Sequence, residues 1–127
     1  MIGSCDLTDA ERAMLLNLVL EDRVVFGEDV QHAKGAPEME AAARRALVGA
    51  RLWALAEGDR DALAGADHIR LVQLLRRYLG EEQEVLDELV DDASARARPS
   101  RTTAIARQAI CRRLLEHVDA DVALAVG

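Results

Sequence analysis

Aromatic residues are scarce in this chain: Phe26, Trp53 and Tyr78 are the only three in 127 residues, so leucine, valine, isoleucine and alanine must fill the core. β-branched residues never accumulate in an alternating run between turn residues, which argues against a sheet. Serine is confined to Ser4, Ser94 and Ser100, none of them in the Gly-x-Ser-x-Gly elbow that exposes a nucleophile. The eight glycines are scattered without a Gly-x-Gly-x-x-Gly fingerprint, and Lys34, the only lysine, sits in no phosphate-loop pattern. Cysteine is limited to Cys5 and Cys111, too few and too far apart for a ligand set or a secreted disulfide framework, so reduced thiols in the cytoplasm are expected. Cys111, next to Ile110 on an apolar face, is expected to pack as a small hydrophobe. The chain shows no signal-peptide pattern, and no apolar run approaches the ~20 residues of a membrane span, so a soluble protein off the membrane is expected.

The three histidines, His32, His68 and His117, offer little more. Glu28 and His32 would share a helix face if the first helix continued past Gly27, but two ligands do not make a site. Neither the paired Glu-x-x-His of dimetal bundles nor His-Glu-x-x-His is present. No metal, cofactor or catalytic residue is expected, which leaves an enzyme as the least supported class.

Against these absences stand 50% hydrophobic and 31% charged residues, a balance that supports a folded core. The net charge of −7, from 23 acids and 16 bases, disfavours nucleic-acid binding by the surface as a whole. The length suits one domain, residues 1–127.

Apolar periodicity predicts an all-α, single-domain bundle of four or five helices. Thr8 and Glu11 form a capping box at the start of the first, which runs over 8–26, or over 8–33 if it passes Gly27. Pro37 opens a second over 37–57, which Gly58 and Asp59 end. Met39, Ala43, Ala46, Leu47, Ala50, Trp53 and Ala54 form its expected buried stripe, with Val48, Leu52 and Leu55 widening the arc. Asp61 or Asp67 caps a third over 61–79, with Gly80 as its left-handed C-terminal residue. A fourth is expected over 81–96, broken by Arg98, Pro99 and Ser100, and a fifth over 100–123.

Charge is segregated in the last third. Residues 80–92 hold Glu81, Glu82, Glu84, Asp87, Glu88, Asp91 and Asp92 with no base. Residues 93–115 hold Arg96, Arg98, Arg101, Arg107, Arg112 and Arg113 with no acid. Two such helices folding back antiparallel would pair their charges, and this is the favoured reading. The same arginines could instead grip phosphate, which makes a nucleic-acid-binding regulator the alternative function. A metal-binding or small-ligand bundle comes third.

The second helix carries a wider apolar arc than one core contact needs, and the chain stays apolar to its end. Surplus apolar surface on a small helical domain points to association. The expected function is therefore a small non-enzymatic, regulatory protein-protein interaction module that pairs with itself as a homodimer or with another protein. The expected contact residues are Leu52, Trp53, Leu55, Val122, Leu124 and Val126.

Overall fold

The computed structural model describes the backbone of residues 2–91 and 97–126, with side chains throughout these except 23–30, 97–99 and 120–126. The chain is all-α: the described residues form four helices, α1 (Asp9–His32), α2 (Ala36–Ala56), α3 (His68–Glu88) and α4 (Ala97–Val126), and no strand. It divides into two compact units, Met1–Leu71 and Val72–Gly127, with the division falling inside α3.

In the first unit, the capping box at the start of α1 forms as its sequence dictates. Thr8 N–H donates to Glu11 Oε1 at 2.9 Å, and Glu11 N–H donates to Thr8 Oγ1 at 3.1 Å. The helix continues through Gly27 to His32, which decides between the two expected ends. Only residues 33–35 separate it from α2, so the two helices form an antiparallel hairpin with Asp22 of α1 ion-paired to Arg45 of α2.

A Schellman motif ends α2. Asp59 N–H donates to Ala54 O at 3.0 Å and Gly58 N–H to Leu55 O at 3.1 Å, while Gly58 takes φ +114°, a conformation in which a side chain would be strained. Turns follow up to Ala66, and the N-terminal segment is tied to them through Cys5 N–H donating to Arg60 O at 2.9 Å. Buried apolar side chains of this unit include Leu15, Leu18, Val19, Val48, Leu52, Leu55, Leu63 and Leu71.

The expected third and fourth helices, 61–79 and 81–96, are one helix as far as the described residues go, and residues 92–96 lie outside them. Residues 61–66 are turns, Asp67 is the cap, with its Oδ1 accepting from Arg70 N–H at 3.2 Å, and one helix, α3, runs through Gly80 to Glu88. Gly80 costs an interior helix only about 1 kcal/mol relative to alanine. The good helix formers around it, and the Arg77–Glu81 ion pair at 3.0 Å spanning it, outweigh that cost. Pro99, expected to break a helix, lies in the first turn of α4, where its missing N–H forfeits no helical hydrogen bond.

In the second unit the acidic end of α3 lies antiparallel to the arginine-rich start of α4. Three contacts fix the register: Arg107 Nη1 to Glu82 Oε1 at 2.9 Å, Gln108 Nε2 to Gln83 Oε1 at 3.1 Å, and Arg101 Nη1 to Leu89 O at 3.0 Å. The buried residues of this unit include Leu74, Leu75, Tyr78, Ile110, Cys111, Leu114 and Val118.

Candidate interaction surface

An α-helix turns by about 100° per residue, so positions three and four apart share a face. On α2 the buried positions are Ala42, Val48, Leu52, Leu55 and Ala56. A second apolar series, Ala36, Met39, Ala43, Leu47, Ala50 and Ala54, follows at spacings of 3, 4, 4, 3 and 4 on the opposite side. Met39 is 44% and Leu47 is 68% exposed; Ala36, Ala43 and Ala50 are exposed, and Ala54 is half-buried. Leaving such side chains in water forgoes on the order of 1.5–3 kcal/mol of burial for each large one.

This outer face stands as a ridge between two clefts of the first unit. One, of about 460 Å³, is lined by Val19, Asp22 and Arg45 and by the small residues Ala46, Gly49 and Ala50, with Trp53 at its side. The Asp22 and Arg45 side chains are only 10% and 13% exposed, and their charges cancel within the cleft. Trp53 is half-buried and donates its indole N–H to Glu57 Oε1. The other cleft, of about 260 Å³, lies between Leu47 and Val48 on one side and Gly65 and Arg70 on the other. Arg51 crosses it, its Nη1 donating to Ala62 O at 3.1 Å. A Cβ on Gly65 would come within 2.8 Å of the same guanidinium, so glycine permits that approach. Glu40 and Arg44 form an i, i+4 ion pair along one edge of the ridge.

The expected contact residues are distributed differently from the sequence reading. Leu52 and Leu55 are 0% and 2% exposed, so both are core residues and unavailable to a partner. Met39, Ala43, Leu47 and Ala50, expected in the buried stripe, are the exposed ones, and Val48, Leu52 and Leu55, expected only to widen it, are the buried ones. The signal that separates them is volume, because Val48, Leu52 and Leu55 displace more water on burial than an alanine series does. The side chains of Val122, Leu124 and Val126 lie outside the described residues.

Among the described residues, the arginines of the alternative reading do not gather into one anion site. Arg107 is 13% exposed against a Glu82 that is 9% exposed, Arg101 is half-buried on Leu89 O, Arg112 is exposed and Arg113 half-buried. Arg96 and the side chain of Arg98 lie outside the described residues. His32 is exposed, while His68 and His117 are half-buried, and no group of three metal-ligating side chains occurs among the described residues. No helix in that set is long and apolar enough to cross a membrane.

Cys111 is fully buried, and burial pushes its thiol up from an ordinary pKa of 9.0 to about 12; the Glu82 carboxylate adds to the rise, while Arg107 and Arg112 oppose it. The thiol is thus held neutral near pH 7 and packs as a small apolar group. The raised value also sets a pH dependence. Below pH 9 the thiol is neutral in both states and its packing contributes fully. As the pH climbs from about 9 to about 12, only the unfolded chain releases the proton, and stability falls by about 1 kcal/mol per pH unit. Urea midpoints at pH 8 and pH 11 should therefore differ more for the wild type than for Cys111→Ala; equal differences would refute the burial argument.

Comparison with family models, with curated proteins and with solved structures gave no match.

Proposed function

We propose that this protein is a non-enzymatic helical interaction module that associates with itself through the outer face of α2. The observation that carries the reading is the alignment of Met39 and Leu47, 44% and 68% exposed, on one uninterrupted apolar ridge. Single exposed apolar residues are ordinary, whereas a continuous series along a helix marks a surface that another chain removes from water. A reducing, cytoplasmic setting fits two buried cysteines that are not joined in a disulfide. The nucleic-acid alternative is the weaker reading, because Arg101 and Arg107 already serve the contact between α3 and α4, which leaves Arg112 as the exposed one among the described arginines of that segment.

Light scattering on the purified protein over a range of concentrations, at low and high salt, tests the reading. A dimer mass that survives high salt is expected, since burial of apolar surface is not screened by ions. Leu47→Glu is expected to give the monomer mass while keeping the wild-type helical content. A monomer at every wild-type concentration, or a Leu47→Glu protein that still dimerises, would overturn the proposal.

A further inference from the structure

We infer that the occupant of the α2 ridge is α2 of a second copy, laid antiparallel across a two-fold axis, with Leu47 of one protomer against the partner's Ala43. This rests on the reading of the ridge as the interaction surface and adds its register. A two-fold contact requires a patch that is complementary to itself, and the order of residues along the ridge meets this in one direction only.

Reversed about residue 45, the series sets Ala36 against the partner's Ala54 and Leu47 against the partner's Ala43, with Met39 within one position of the partner's Ala50. Every large side chain then meets a small one, the arrangement that lets two helix surfaces interdigitate. The parallel arrangement sets Leu47 on Leu47 and Met39 on Met39, holding the helices apart and leaving gaps at the alanines between.

Charge selects the same direction. Glu40 and Arg51 lie on the same flank of the ridge, eleven positions apart. A two-fold axis perpendicular to the helix pair brings like flanks together. In the antiparallel register Glu40 then falls beside the partner's Arg51, whose Nη1 also donates to Ala62 O, at both ends of the contact, while the two Arg44 side chains that approach near the centre each keep their own Glu40 as counter-ion. Parallel helices, related by an axis along their length, would set unlike flanks together and leave Glu40 and Arg51 on opposite sides of the contact from the partner's Glu40 and Arg51, so neither would gain an opposite charge. The clefts on either side of the ridge leave room for the flanking side chains of the second helix. At 21 residues α2 is about 31 Å long, enough for all three pairs of layers.

Disulfide trapping reads this register directly. The native thiols, Cys5 and Cys111, are 1% and 0% exposed and do not compete with a cysteine placed on the ridge. Ala43→Cys and Leu47→Cys proteins, mixed and allowed to exchange subunits under mild oxidation, are expected to form several-fold more cross-linked dimer than either protein alone. A disulfide needs Cα atoms within about 7 Å, which the 43 to 47 pairing supplies and the like pairings do not. As a second readout, Glu40→Arg should weaken the dimer measured by light scattering, and adding Arg51→Glu to it should restore the dimer. Helical content by circular dichroism confirms that each variant folds.

If Leu47→Glu abolishes the dimer but the mixture cross-links no better than Leu47→Cys alone, the register is refuted and the interaction surface stands. If the wild type is monomeric, or Leu47→Glu leaves the dimer intact, both are overturned.

Discussion

Replacing Arg107 with alanine is expected to destabilise the folded chain by about 3–5 kcal/mol, the usual cost of breaking a buried ion pair from one side. Glu82 is 9% exposed and faces Arg107 Nη1 at 2.9 Å, so the variant leaves a carboxylate away from water without the charge it faces. The loss should lower the thermal midpoint by about 10 °C or more. Glu82→Gln should also destabilise, but less, because the arginine it strands is longer and can reach toward solvent. The double variant Glu82→Met with Arg107→Leu should recover most of the loss, since apolar residues of similar volume have no ionic desolvation to offset. Thermal melts of the four proteins measure the effect. An Arg107→Ala protein as stable as the wild type would mean that the pair is hydrated and that the close approach of α3 and α4 owes nothing to it.

That contact was readable before the fold was known, because it depends on composition over two adjacent segments: thirteen residues without a base, followed by twenty-three without an acid, can satisfy each other only by folding back. The caps were equally legible. Thr8 with Glu11, Gly58 and Asp67 act on backbone groups within a few residues of themselves, so the local sequence contains the whole interaction.

Gly80 shows where local reading fails. A glycine after Arg76 and Arg77 has the chemistry of a helix end, yet its intrinsic penalty is smaller than what Glu81, Glu82 and the pairing of Glu82 with Arg107 return to a continuous helix. Long-range contact thus decided a boundary that propensity had placed elsewhere. Gly27 leaves both helix ends open by propensity alone, and α1 passes it.

Which side of α2 faces inward decides which of its residues a partner can reach. Periodicity reports that apolar residues recur at helical spacing; it does not report which of two apolar arcs meets the core. The helix has two, and alanine blurs them, since it is indifferent enough to solvent to stand on either. What distinguishes them is the leucine and valine content of one arc, which puts Leu52 and Leu55 in the core and Leu47 on the surface.

Leu52→Ala and Leu47→Ala therefore form a matched pair with opposite expected behaviour. Leu52 is 0% exposed, so its truncation removes buried surface and leaves a cavity, and should reduce folding stability by about 2–5 kcal/mol. Leu47, 68% exposed, should change the stability of dilute, monomeric protein by no more than about 0.5 kcal/mol. Concentration reverses the ranking for association. A contact made only by the folded state raises the melting temperature as protein concentration rises. That dependence should persist in Leu52→Ala, whose ridge is untouched, and should shrink in Leu47→Ala, which loses the side chain that fills the space beside the partner's Ala43. Melting curves of both variants over a hundredfold or so in concentration separate the two roles. If Leu47→Ala loses as much stability as Leu52→Ala in dilute solution, then the ridge is core, and the surplus apolar surface of this chain has to be sought elsewhere.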